Sequence, residues 1–387
     1  MSDTAPRLTT KEFEGRVARL RAALDRAGVP VGIACGNQGL PGDVQWITGY
    51  DPHLETAAVV VSPRAVIAIG GPEGEAMFED WAFMGSWRNV DAYEIPGQHY
   101  DGLRFATLAE VLEEAVGTMP HTVGLLSKPS VMTWEIISEL QDIGIATTDN
   151  RDILSTLRYE KTELELELHR RASEVATRAM AAMIAAVAPG VTELEVAAAG
   201  DAELKRAGAY STGFDTIVCA GDRISTIIGR ASRRPIADGE LVMLGVAPRW
   251  DGYTSALGRT IVAGTAGAAQ RDFLAHGARA LERAADTLAA GVEAREVHLA
   301  ANRSLAEVGL DRYHAYGVGH GIGLSECLEE RTATAVSDYR VPPGITMMLD
   351  VGLYGHPEHV GARHEDPFLV THDGRVERLT DLPVLSG

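Results

Sequence analysis

Apolar residues recur along this chain at two spacings, and each change of spacing marks a new element. Between Lys11 and Gly28, Phe13, Val17, Leu20 and Leu24 fall on one helical face, with Gly28 as a stop. Short apolar runs bounded by turn residues follow: VGIAC from 31, AAVVVS from 57, AVIAIGG from 65 and TVGLLS at 122–127. They predict the strands of a mixed α/β domain. The stretch from Asn150 to Arg158 reads as a boundary. Helical spacing then returns. Thr162 and Glu165 predict a capping box, Leu168, Ala172, Val175, Ala179, Met183 and Val187 keep one face, and Pro189-Gly190 ends the run. Thr192 and Glu195 repeat the cap, and a second helix runs to about Gly208. Strand patterns appear around 214–219, 240–247, 252–263, 346–354 and 366–371, and further helices at about 268–289 and 294–308. The grouping predicts two domains, residues 1–157 and 158–387, the second an α+β domain with a curved, largely antiparallel sheet.

Composition narrows the class. The 387 residues exceed one average domain, and 45% hydrophobic with 23% charged residues suits a soluble globular chain. The formal charge of −19 argues against a nucleic-acid partner, because phosphate binding needs a basic patch. Three scattered cysteines, Cys35, Cys219 and Cys327, predict neither a disulfide framework nor a zinc motif and fit a reducing cytoplasm. The N-terminal residues carry no apolar leader core, and no run of about 18 apolar residues predicts a membrane span.

Several sequence blocks carry chemistry, in a fixed order. RYEKTELELELHRRA is followed by GVTELEV, FDTIVCAGDR, GYTSALGRT, YGVGHGIGL, GITMMLDVGLY and GARHEDPFLVTHDG. In these words and their spacing, residues from about 158 to 381 resemble the creatinase/prolidase/aminopeptidase P family, and DVQWITGY resembles that family's smaller domain. The resemblance implies an α+β pita-bread C-terminal domain beside a smaller α/β N-terminal domain. It also implies a homodimer, since family sites often borrow residues from a partner subunit.

The metal-dependent members hold two cations through Asp, Asp, His, Glu and Glu, a hard-ligand set that activates one water. At the matching positions this chain has Gly245, Ala256, His320, Asp350 and Glu365. Both anchoring aspartates are absent, so no metal and no cofactor is expected. Creatinase is the metal-free precedent, and its hairpin carries Ala-Leu as Ala256-Leu257 do here. Its catalytic histidine, however, matches Ile228, the glutamate after Ala-Leu matches Gly258, and its small-domain arginine matches near Glu55.

The remaining candidates are His320 as general acid or base, with Glu365 and Asp350 as paired carboxylates whose proton affinities a shared pocket drives apart. A cation is expected beside them, either a protein arginine, Arg259 or Arg363, or a positively charged substrate amine. Arg259, Tyr316, His314, Arg363 and Glu55 are candidate substrate contacts, and His364 is a further pocket candidate. Tyr316 and Cys327 occupy positions where family members place histidines, and a Cys327–His320 pair is one conceivable nucleophile. His356 and His359 read as an exposed turn.

The expected function is metal-independent cleavage of a C–N bond, by hydrolysis or elimination, in a small amino-acid-like, amide or guanidino compound. The alternatives are a pseudoenzyme that binds a small ligand or peptide, and a metal-dependent X-Pro peptidase.

Overall fold

The helical period that opens at Thr162 does produce a capped helix. In the computed structural model, which describes residues 7–93, 100–325 and 329–384, it runs from Glu163 to Ala186 (α1). Thr162 accepts from the Glu165 backbone N–H at 3.3 Å, while the Glu165 carboxylate accepts from the Thr162 N–H at 2.7 Å. Thr192 and Glu195 repeat the arrangement at the start of Glu193–Ala207 (α2). Each cap satisfies two N–H groups that the helix itself leaves unpaired. Leu168, Ala172, Val175, Ala179 and Met183 are all buried, as their spacing predicts.

The chain divides into two compact units, residues 7–158 and the part from Tyr159 onward. The stretch read as a boundary is itself a helix, Arg151–Tyr159. The N-terminal unit holds a six-stranded mixed sheet in the order 86–89, 66–70, 57–61, 32–36, 122–125, 146–149. Val31, Ile33, Val60, Ile67 and Ile69 form its core with Leu108, Leu112, Ile136 and Leu140 from helices Leu108–Val116 and Trp134–Asp142. No helical pattern had been read at either helix.

The C-terminal unit is built on an eight-stranded sheet. Its strands are Ile217–Ala220 (β1), Leu241–Val246 (β2), Leu257–Val262 (β3), Gly319–Gly321 (β4), Glu329–Ala333 (β5), Ile345–His356 (β6), Val360–Val370 (β7) and Val376–Arg378 (β8). The order is β5-β4-β6-β7-β3-β2-β1, with β8 paired to β7, and every pairing is antiparallel. Helices α1 and α2 cover one half of one face, where Ala176, Met180, Val196 and Leu204 meet Val218, Val242, Leu244 and Leu257. Two more helices, Ala268–Thr287 (α3) and Ala294–Ala306 (α4), cover the other half. There Phe273, Leu281, Val297 and Leu305 meet Leu349, Val351, Leu353 and Phe368. Burying each such side chain contributes about 1.5–3 kcal/mol.

Strand β7 starts at Val360, six residues before the predicted strand. The missed residues, Val360 to Glu365, include Arg363, His364 and Glu365. Their polar character hides the strand from the apolar pattern, while the family resemblance places both Asp350 and Glu365 on adjacent closing strands, as β6 and β7 are.

Candidate active site

Residues directly opposite on paired strands point to the same face, and neighbours along a strand alternate. The register therefore composes the site. Ile217 pairs with Gly245, Gly245 with Gly258, Gly258 with Glu365, and Glu365 with Asp350. One row across five strands thus runs from an apolar end, through two bare glycines, to two carboxylates. In the next row Arg363 pairs with Gly352, and on the other side His320 pairs with Met348. All lie on the face that α1 to α4 leave uncovered.

The row is tightly built. A Cβ on Gly258 would stand 2.9 Å from the Glu365 Cβ, and one on Gly245 would stand 3.2 Å from Ile217. Gly352 makes room for Tyr316, whose hydroxyl would lie 2.1 Å from an added Cβ. That hydroxyl is 3.3 Å from the Tyr354 hydroxyl. Tyr354 was missed as a site residue, although Asp350, Gly352 and Tyr354 alternate along one strand and so share a face.

Arg363 stands between the carboxylates. Its Nη2 lies 2.9 Å from Asp350 Oδ2 and 3.0 Å from Glu365 Oε1. His320 Nε2 is 3.8 Å from the same Glu365 oxygen, and His320 Nδ1 is 3.1 Å from the Gly321 carbonyl. The contacts of Arg363 and His320 with the carboxylates are ion pairs rather than aligned hydrogen bonds, whereas that with the Gly321 carbonyl is a hydrogen bond. Asp350 Oδ1, both Glu365 carboxylate oxygens, and Arg363 Nε and Nη1 are buried without a hydrogen-bond partner among the described residues. The Glu365 side chain is 0% exposed, whereas that of His320 is 12% exposed.

The two carboxylates differ in proton affinity. Burial pushes Asp350 up to about 6, against the pull of Arg363. Burial pushes Glu365 up as well, but Arg363 and His320 outweigh it and hold Glu365 below its ordinary value. One carboxyl is thus placed to hold a proton and the other to stay ionised.

Other candidates fall elsewhere. Arg259 lies on the opposite face, with its Nη2 2.7 Å from Asp366 Oδ1, so it is neither a substrate contact nor the partner of Asp350 and Glu365. His364 also faces away, packed on Gly277 of α3, and burial pushes it down to about 3. Both follow from strand parity. His314 sits beside Tyr316, its ring 5.4 Å from that of His298 and its Nδ1 3.1 Å from Asn302 Oδ1. Burial pushes it down to about 4, which keeps it neutral. Glu55 belongs to the N-terminal unit and accepts from the Gly71 N–H at 3.2 Å, at the start of helix Pro72–Trp81. That is a helix-capping task, which accounts for its charge. Ile228 is 70% exposed beside Ile227, whose φ of 62° is strained for a β-branched residue. His356 and His359 stack on each other at the end of β6. Cys327 lies outside the described residues.

A dinuclear metal centre does not fit these residues. Ala256, at one missing ligand position, is packed in an apolar cluster with Ala247, Ile322 and Met348, with Phe214 against it. Gly245 faces Ile217, and the guanidinium already stands against both surviving carboxylates. Among the described residues, no group of three or more His, Cys, Asp or Glu side chains is disposed to hold a metal ion. No helix among them is long and apolar enough to cross a membrane.

Comparison with known proteins places this geometry. The sequence model of "Metallopeptidase family M24" matches residues 167–372. An Xaa-Pro dipeptidase of Pyrococcus furiosus is 33% identical over 229 residues, which are 59% of this chain and 65% of that protein. Its counterpart in Pyrococcus horikoshii is 31% identical over 59% of this chain and 64% of its own length. The match thus spans less than two thirds of either relative. Among solved structures, the prolidase from Pyrococcus horikoshii OT3 superposes with a TM-score of 0.81 at 23% identity. That superposition covers 95% of this chain and 99% of the other. At such identity the likeness carries the fold, which is α+β of the pita-bread type.

Proposed function

The chain belongs to metallopeptidase family M24, and from that premise we propose that it is a hydrolase that cleaves a C–N bond in a small amide- or peptide-like compound without a metal. The observation that supports this reading is the placing of His320. Its ring stands at the edge of the site while its Nε2 faces the buried, ionised Glu365 at 3.8 Å.

The roles follow from that geometry. Nδ1–H donates to the Gly321 carbonyl, which fixes the ring and makes Nε2 the working nitrogen. Nε2 takes a proton from water as the water oxygen bonds to the substrate carbonyl carbon. The Glu365 carboxylate faces the same nitrogen and stabilises by its charge the imidazolium so formed. When the C–N bond breaks, the same proton passes to the leaving nitrogen. Arg363 holds Glu365 ionised, and Asp350 and Tyr316 line the site beside it.

The names of the relatives favour a second reading, an Xaa-Pro dipeptidase. Gly245 and Ala256 count against its metal-dependent form. Turnover of small amides and dipeptides by chelator-treated protein tests the proposal. His320→Ala is expected to lower kcat by about 10²–10⁴-fold with the unfolding midpoint unchanged. Full activity in that variant, or turnover that needs added metal, overturns the reading.

A further inference from the structure

Helix α4 packs on the covered face of the sheet, yet its polar residues reach the segment that carries His320. His298 and Asn302 stand four residues apart on that helix and so share a face. Val318 donates its backbone N–H to His298 Nδ1 at 3.2 Å. His314 stacks on His298, with ring centroids 5.4 Å apart and planes 21° from parallel. Its Nδ1 lies 3.1 Å from Asn302 Oδ1, which fixes the second ring. A backbone N–H can only donate, so His298 Nδ1 carries no proton. Burial lowers the proton affinity of both rings, which keeps that nitrogen free to accept.

The same segment is tied to β6 on its other side. Asp350 donates its N–H to the Val318 carbonyl at 2.7 Å, and Ala315 donates to the Gly352 carbonyl at 3.4 Å. His314 makes a bridge with Leu353. Residues 314–318 are thus held between α4 and β6, and β4 begins at the next residue, Gly319. That strand is three residues long, and its pairing with β5 shifts register between His320 and Gly321. The ladder around His320 is therefore short and irregular. Val318 is the junction, its carbonyl serving the strand of Asp350 and its N–H serving the helix. It is fully buried, so an unpaired N–H there would be costly.

We infer that His298 is a positioning residue: by accepting from Val318 it locks the start of β4, and with it the placing of His320 and of the Asp350 backbone. The effect on turnover rests on the metal-independent hydrolysis proposed for the site, whereas the locking is a property of the fold. Helix α4 acts as a ruler in this arrangement. His298 receives Val318 and Asn302 receives His314, so two contacts four residues apart on the helix set the register of a segment four residues long.

Two replacements of similar size separate the acceptor from the bulk. Asparagine places Oδ1 where histidine has Nδ1, while leucine fills the same space and accepts nothing. In full-length His298→Leu, hydrogen exchange in peptides covering 314–320 and 348–353 is expected to quicken at least about tenfold, with β1 and β2 unchanged. Its kcat for amides and dipeptides should fall about 10²-fold with KM little changed, since a small displacement of an acid–base group costs about that much. His298→Asn should restore both readouts to within about threefold of wild type.

Wild-type exchange in folded His298→Leu overturns the inference, and so does an asparagine variant no better than leucine, which leaves only packing. Faster exchange with kcat unchanged, or a rise in KM alone, also removes the positioning role. Should His298→Leu not fold, His298→Asn decides: it must fold with residues 314–320 protected as in wild type, or the inference falls. If wild type turns over none of these compounds, the proposed function fails, and the exchange comparison by itself decides whether His298 locks the strand.

Discussion

Two arginine–carboxylate clusters stand back to back on β3 and β7, and they are completed to different degrees. Behind the sheet, Arg259 is saturated. It donates to Asp366, to the carbonyls of Gly258 and Glu365, and to those of Leu382 and Pro383, all at 2.7–2.9 Å. Asp366 accepts in turn from Arg378 at 2.6 Å. In front of the sheet, Arg363 touches two carboxylates through one nitrogen, and its other two nitrogens find no partner among the described residues. Most buried polar groups of a folded protein have their hydrogen bonds filled, as those of Arg259 are. The difference separates framework from site. Arg259 also grips the Glu365 carbonyl, so the framework cluster holds the backbone on which the site carboxylate stands.

Three measurements can break or sharpen this contrast. Arg259→Met should have the largest effect, a loss of about 3–5 kcal/mol in urea unfolding, because it removes the fully buried cation with all its hydrogen bonds and leaves Asp366 only the partly exposed Arg378. A loss below about 1 kcal/mol would remove the ground for calling that cluster framework. His169 supplies a third case, a buried group away from both arginines, its ring 5.2 Å from that of Tyr253. Burial, with the Lys161 charge adding to it, pushes His169 down to about 3 from an ordinary 6.5. The unfolded chain therefore binds the proton first as pH falls, and stability present above about pH 6.5 is lost toward pH 3. The advantage of wild type over His169→Gln should shrink by about 2 kcal/mol between pH 6.5 and pH 5. A difference that does not vary with pH would show that the imidazole is not held neutral. Arg378→Met should have the smallest effect, about 1 kcal/mol, because its side chain is 30% exposed and Asp366 keeps Arg259. If its cost equalled that of Arg259→Met, the cluster would not be graded by burial.

Much of the site was legible before any fold was known. His320 stands between glycines, Asp350 ends an apolar run, and Glu365 lies in a word shared with a family, so each could be named from its neighbours. Arg259 and Arg363 could not be told apart in this way, since both flank the carboxylate words. Only the pairing of Gly258 with Glu365 places the odd-numbered residues of β7 on the open face and those of β3 on the closed one. The apolar pattern alone does not reach the polar stretch that opens β7, and the family resemblance, which places Glu365 on a closing strand, does not by itself choose between Arg259 and Arg363.

Local chemistry was enough to start helices at Thr162 and Thr192 and to bury one face of α1. These properties depend on residues within a few positions of each other, so the amino-acid order alone determined them. Which cation answers the two remaining carboxylates was decided by tertiary structure. That choice depends on the register between strands about a hundred residues apart, and a shift of one residue would turn Arg363 to the back of the sheet and another side chain to the front.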